Sequence, residues 1–450
     1  MQSTIASIIT PPGNSGVGII RLSGTDALAI AKKLLHKPVA LKPRVATVVT
    51  VKGEKFSDTA LAIYFKSPNS FTGEDVVELQ CHGGYFLLQK VLEETLHNGA
   101  VAAEPGEFSR RAFLNGKLSL DQAEAIIDII NAESDLQLSN ANKTFSGNLR
   151  TKLDKIEQSL IQITAQIEAT LDYPEHDIEH ATVSAIRAPL AKINESVKSL
   201  IETAKTGRIV ANGINVAMLG KPNVGKSSLF NALINSDRSI VTDLPGTTTD
   251  TITEGINYNG LKIIFHDTAG LREEQNKIES LGIDRTKKAI QNCDVVLAVF
   301  DAADKTSEPD SELLNLIKEK PCLTVYNKND LVHEKSVRND AKKSNFKDIL
   351  FVSAKTGENI GEIKKRIYDK VVTSLVPFNK VLITNIRHLK ELSLSSTALD
   401  TVLAALDTGT SLDCIAADIQ TAVSHIGNIT GTHASEAVLD EIFARFCLGK

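Results

Sequence analysis

The chain has 450 residues, 42% of them hydrophobic and 23% charged, with a formal net charge of −5. This is the composition of a globular protein large enough for two or three apolar cores, and its acidic balance excludes an extended basic surface. Five scattered cysteines (Cys81, Cys293, Cys322, Cys414, Cys447) show neither zinc-ligand pairing nor a disulfide framework.

In chain order, the N-terminal Met-Gln-Ser-Thr-Ile carries no cationic leader, and no apolar run reaches the roughly 18 residues of a membrane span. A cytoplasmic protein with no membrane contact is expected. From Met1 to about Leu118, β-rich runs (Gly18 to Leu22, Val45 to Val51, Val76 to Cys81) alternate with helical stretches such as Tyr85 to Asn98. Ser119 and Gln122 form a capping-box pair that opens a helix through Asn131. Next, Leu149, Leu153, Ile156, Leu160, Ile163, Ile167 and Leu171 draw one apolar stripe at spacings of three and four, stopped by Pro174. Ile186, Leu190, Ile193, Val197 and Leu200 draw a second. Helical patterning returns after Pro377 with Leu389, Leu392, Leu399, Leu403 and Leu406, then Ile415 to Ile426 and Ala434 to Phe446. Such stripes need partners, so helices before residue 210 are expected to pack against those after 380. The middle of the chain is then an insertion.

That middle holds a chain of short motifs. The β-type run Ile214 to Leu219 leads into Gly220, four residues, and Gly225-Lys226-Ser227-Ser228, the spacing of a phosphate-binding loop. Backbone N–H groups around Asn223, Val224 and Gly225 can close on a β-phosphate, Lys226 can reach the β- and γ-phosphates, and the Ser227 hydroxyl suits Mg²⁺. Gly246-Thr247-Thr248 precedes the strand Thr251 to Tyr258 and offers a threonine to complete the Mg²⁺ shell. Ile263 to His266 runs into Asp267-Thr268-Ala269-Gly270, where Asp267 suits water-mediated Mg²⁺ and the Gly270 N–H the γ-phosphate. Apolar strands Val295 to Phe300 and Leu323 to Tyr326 follow, the second ending in Asn327-Lys328-Asn329-Asp330. Asp330 can accept from guanine N1–H and N2–H₂ together, a donor pair adenine lacks. Ser353-Ala354-Lys355, after the strand Ile349 to Val352, can support the guanine ring and its O6. Five motifs in order, each at a strand end, define a GTP-hydrolysing domain of doubly wound α/β type.

Hydrolysis cannot use the glutamine that often follows D-x-x-G, because that position is Leu271. Glu279 beyond the loop is either a water-positioning group or a solvated helix-start glutamate. Asn223 is either a neutral acceptor where a monovalent cation bridges the phosphates or a turn-forming asparagine.

Three further segments carry a full-length resemblance. They are Thr10-Pro-Pro-Gly13 through Arg21, Ser70-Phe-Thr-Gly-Glu-Asp-Val-Val-Glu-Leu-Gln-Cys-His-Gly-Gly84, and Pro105-Gly-Glu-Phe108 through Leu118. With the terminal Cys447-Leu448-Gly449-Lys450 they resemble the MnmE (TrmE) family of tRNA-modification GTPases. The resemblance implies a multidomain α/β plus all-α fold. Residues 1–118 would be an α/β domain that binds a tetrahydrofolate derivative (5-formyl- or 5,10-methylene-) and forms a homodimer. Residues 119–212 and 377–450 would be two parts of a helical domain, and 213–376 the inserted G domain. It places folate contacts at Arg21, Glu78, Lys117 and Lys450, and Mg²⁺ ligands at Ser227 and Thr248. It assigns a K⁺ site to Asn223, the Thr242 and Leu244 carbonyls and Thr247, in a nucleotide-contacting segment that includes Asp243 and Pro245. Glu279 falls at the family's proposed general base. With the flavoprotein MnmG, such proteins add an aminomethyl or carboxymethylaminomethyl group to carbon 5 of the wobble uridine, position 34, of certain tRNAs. One departure is Thr249, where the family's first switch usually has arginine; it bears on that loop's charge pairing and leaves the metal positions intact.

Two other functions fit parts of the pattern. A ribosome-assembly GTPase predicts a basic RNA-binding module, against which the helical flanks are not notably basic. A nucleotide-gated switch without covalent chemistry predicts no second ligand site. Cys447 is open to two readings, a small buried hydrophobe behind the last helix or a thiol brought beside the one-carbon unit as a nucleophile.

Overall fold

A computed structural model describes residues 3–172, 183–235, 253–267, 290–303, 320–332 and 348–449. These residues fall into two units, one of residues 1–131, 141–198 and 390–450, the other of 132–140 and 199–389.

The first unit opens with β1 (Ile5–Ile8), β2 (Ser15–Ser23), β3 (Thr47–Lys52), β4 (Ser57–Phe65), β5 (Val76–Gly83) and β6 (Val101–Ala102), joined in the order β3-β4-β5-β2-β1-β6. All neighbours are antiparallel except β1 and β6. The period of two is legible in β4, where Asp58, Ala60, Ala62 and Tyr64 are buried and the residues between them are not. On that buried face lie α1 (Ala27–Lys33) and α2 (Tyr85–His97), which bring Ile30, Ala31, Leu88 and Val91 against Ile20, Leu22, Val77 and Leu79.

Helices complete this unit. Following α3 (Glu107–Leu114), α4 (Leu120–Ile130) starts on the expected box: the Ser119 N–H donates to Gln122 Oε1 at 3.0 Å, and Asn131 caps the end. After α5 (Asp135–Phe145), whose first six residues belong to the second unit, comes α6 (Asn148–Asp172), which buries six of the seven stripe residues and leaves only Leu171 45% exposed. Every residue of the second stripe is buried on α7 (Val183–Glu202). Among helices near the C-terminus, α11 (Ile386–Thr408) turns Leu392, Leu399, Val402 and Leu406 inward. The expected Leu403 is half-buried, because the step from 399 to 402 holds the helical period better than a second step of four. The main partner of α6 is α12 (Leu412–Thr430), and Phe113 and Leu120 pack with Leu439, Ile442 and Phe443 of α13 (Glu436–Phe443).

The second unit is a six-stranded sheet in the order β12-β11-β10-β7-β9-β8: β7 (Ile214–Leu219), β8 (Thr253–Tyr258), β9 (Leu261–Asp267), β10 (Val295–Asp301), β11 (Cys322–Asn327) and β12 (Ile349–Phe351). Only β8 runs antiparallel, to β9. The near-continuous burial of β7 and β10 is what parallel strands covered on both faces require. α9 (Lys226–Asn235) and α10 (Ile360–Val372) contribute Leu229, Leu233, Ile363 and Ile367 to its core.

This unit reaches beyond the motifs. α8 (Ala204–Asn212) is tied to the segment after α10, since Thr206 Oγ1 accepts from the Val376 N–H at 3.0 Å and Thr203 Oγ1 from the Ile383 N–H at 3.1 Å. Residues 132–140 join through the β8–β9 turn: the Leu136 N–H donates to the Gly260 carbonyl at 3.1 Å, and Lys262 pairs with Glu133. Among the described residues no helix is long and apolar enough to cross a membrane.

Candidate functional site

The carboxyl ends of β7, β10, β11 and β12 deliver four loops to one edge of the sheet, the position where open α/β sheets bind ligands. Gly220 to Gly225 joins β7 to α9, and Lys226 begins that helix with its side chain 7% exposed. The Lys226 ammonium bridges the loop, donating to the Gly220 and Lys221 carbonyls at 2.8 Å each. Ser227 and Ser228 are exposed in the first turn of α9, where helix N–H groups and a hydroxyl face solvent together. Asn223 is also exposed, in the left-handed region at φ 64°.

Asn327 welds these loops together. Its amide donates to the Val224 carbonyl at 3.1 Å, and its Oδ1 accepts from the Ala354 N–H at 3.0 Å. The side chain is 1% exposed, so these bonds are protected from water. Gly225, at φ 89°, is required here, because a Cβ would lie 2.4 Å from the Asn327 amide nitrogen. Lys328 donates from Nζ to the Asn223 carbonyl at 2.8 Å. Asp330 Oδ1 accepts from the buried Ser353 hydroxyl at 2.6 Å, which, with Lys355 beside it, holds the Asp330 carboxyl below the usual carboxylate range. An ionised, oriented carboxylate beside Ala354 and Lys355 suits the paired donors of guanine.

The structure thus brings together Asn223, Val224, Gly225, Lys226, Ser227, Ser228, Asn327, Lys328, Asp330, Ser353, Ala354 and Lys355. Asp267 ends β9 beside Met218 by its backbone. Thr242 to Thr249, Thr268 to Leu271 and Glu279 lie outside the described residues, as does Lys450. Sequence reasoning missed Asp301, the last residue of β10, which sits opposite Asn327 in register and pairs with Lys328 at 2.7 Å. The available signal was an apolar strand ending in a carboxylate at the binding edge.

A second constellation lies in the first unit. Arg21 and Glu78 are cross-strand neighbours on β2 and β5, and the guanidinium donates to Glu78 Oε1 at 2.8 and 2.9 Å. The guanidinium carbon stands 5.4 Å from the Phe71 ring centre and 5.6 Å from that of Phe108. Lys117 is not bonded into this pair; its ammonium donates to the Pro68 carbonyl at 3.1 Å, at the root of the loop that carries Phe71. The tail reaches β1: Gly449, at φ 95°, lies so close to Ile8 and Ile9 that a Cβ would meet the Ile8 carbonyl at 2.9 Å. Ser7, next to Ile8, pairs in register with Arg21. Cys447 is exposed, so it is not the small buried hydrophobe behind the last helix.

Fold and loops together define a P-loop protein of the guanine-nucleotide class, its α/β domain inserted within a helical one. Two family models match along the chain: "GTP-binding protein TrmE N-terminus" over residues 4–117 and "MnmE helical domain" over residues 120–447. Proteins called tRNA modification GTPase MnmE are similar throughout. Those of Acetivibrio thermocellus and Clostridioides difficile are 39% identical over 456 residues and 37% over 457, covering all of this chain and 99% and 100% of the relative. That of Caldicellulosiruptor saccharolyticus is 40% identical over 454 residues, covering 99% of each. The chain belongs to the MnmE family of tRNA modification GTPases.

Proposed function

We propose that this chain hydrolyses GTP with K⁺ and Mg²⁺ and, as a homodimer with the flavoprotein MnmG, modifies carbon 5 of the wobble uridine of certain tRNAs with a tetrahydrofolate one-carbon donor. The observation that carries the GTPase part is the Asn327 junction, which fixes the phosphate loop and the guanine-facing loops as one rigid edge. Membership of the family carries the tRNA part.

The residues present suit the groups invoked. Ser227 offers an exposed hydroxyl beside a helix N-terminus, a hard oxygen donor of the kind Mg²⁺ takes. Asn223 exposes an amide oxygen while Lys328 holds its carbonyl, and a neutral oxygen suits K⁺. When bound, the cations offset charge that develops on the transferred phosphoryl group. Lys226 is already held across the loop by two carbonyls, so its ammonium is oriented before nucleotide arrives. Glu279 positions the attacking water in place of the missing glutamine.

The Arg21–Glu78 pair and the Phe71 ring suit a flat, polar heterocycle with a carboxylate tail, such as a folate. Gly449 of the tail lies against Ile8 and Ile9, at the end of the strand that pairs with the one carrying Arg21, which supports the reading that Cys447 and Lys450 serve the same site. Phosphate release in KCl and in NaCl at matched ionic strength tests the K⁺ assignment. A rate about 10³-fold higher in KCl is expected, the scale of an arginine finger. Equal rates overturn it.

A further inference from the structure

Asp301 belongs to none of the nucleotide motifs, yet it stands between the base loop and the phosphate loop. Its side chain is 14% exposed, and its two oxygens do different work. Oδ1 accepts from the Ala303 N–H at 2.9 Å and closes the turn after β10. Oδ2 accepts from the Lys328 ammonium at 2.7 Å. That same ammonium donates to the Asn223 carbonyl at 2.8 Å. Both Asn223 and Lys328 adopt left-handed backbone at φ 64°, a region that residues other than glycine seldom visit. Two uncommon turns, one in each loop, are therefore bridged by a single lysine head, and Asp301 is the charge that fixes that head. A lysine on a four-carbon stem, one-third exposed, otherwise swings toward solvent.

We propose that Asp301 is a positioning residue: by anchoring Lys328 it holds the Asn223 turn in place, so that the base loop and the phosphate loop bind nucleotide as one unit. The inference rests on reading these loops as a guanine-nucleotide site. Asp301→Asn separates the two oxygens' roles, since the amide keeps an acceptor for Ala303 and loses the charge facing Lys328.

The test is the affinity of the full-length chain for a fluorescent GDP analogue, in wild type, Asp301→Asn, Lys328→Met and the double variant. Asp301→Asn is expected to weaken binding about tenfold, the loss of one charge-assisted hydrogen bond, and Lys328→Met at least as much, because it removes that bond and the one to Asn223. The double variant is expected to bind no more weakly than Lys328→Met alone, because Asp301 acts through Lys328. Asp301→Glu, which keeps the charge, is expected to recover most of the affinity, a rescue that turn closure alone does not predict. Wild-type affinity in Asp301→Asn, or losses that add in the double variant, overturns the proposal. A wild-type chain that does not bind the analogue overturns the guanine-site reading, and this proposal with it.

Discussion

Asp330 shows how a neighbour tunes one residue for the guanine-binding role proposed for it. The Ser353 hydroxyl donates to its carboxylate and lowers its pKa, so the ionised form that guanine requires persists to lower pH than an unassisted carboxylate allows. Affinity is therefore retained above the depressed pKa and lost as pH falls through it. Ser353→Ala raises that pKa toward the ordinary value, and the acid limb of a GDP-affinity profile is expected to move to higher pH; a limb that stays put contradicts the arrangement. Asp330→Asn is expected to cost on the order of a hundredfold in GTP affinity and to relax discrimination against xanthosine triphosphate. Retained guanine selectivity in binding competition removes Asp330 from the pocket. Glu279→Ala is expected to abolish turnover at nearly unchanged GTP affinity, because a water-positioning group acts in the transition state. Normal hydrolysis returns Glu279 to a solvated surface glutamate. The cysteines divide by environment: burial pushes the Cys81 thiol up to about 12, whereas Cys414 and Cys447 are exposed. Brief alkylation of the native chain at neutral pH is expected to label Cys414 and Cys447 and spare Cys81.

At the scale of elements, what was legible in the sequence is what local pattern decides. The stripes of α6 and α7 and the apolar runs of β7 and β10 announce their elements because burial repeats with the geometry of the backbone. Less legible was whatever depends on a distant partner. Leu136 joins the α/β unit only because the β8–β9 turn comes to it, and Asp301 matters only because Lys328 lies 27 residues further on. The same holds for α8, whose Gly207 looks unremarkable in sequence, although a Cβ there would stand 2.0 Å from the Ile383 carbonyl. Gly207→Ala is expected to cost about 1–3 kcal/mol and to lower the thermal midpoint by several degrees. Leu160→Ala, at a fully buried α6 position, is expected to cost about 2–5 kcal/mol, against under about 0.5 kcal/mol for Leu171→Ala. Equal losses for the two leucines in thermal unfolding contradict the assigned face of α6.

For the whole molecule, the two candidate sites lie in separate units, and Gly449 of the tail lies against Ile8 and Ile9, at the end of the strand that pairs with the one carrying Arg21. Cys447→Ser, or removal of Leu448 to Lys450, is therefore expected to leave phosphate release near wild type while tRNA modification collapses. Modification at wild-type levels in both variants removes the tail from the chemistry. The most direct measurement is nucleoside analysis of tRNA incubated with this chain, MnmG, GTP, K⁺ and a tetrahydrofolate donor. The expected product is a wobble uridine carrying an added aminomethyl-type group at carbon 5, formed with GTP and absent without it. GTP consumed while that uridine stays unmodified contradicts the account and leaves a nucleotide-gated switch in its place.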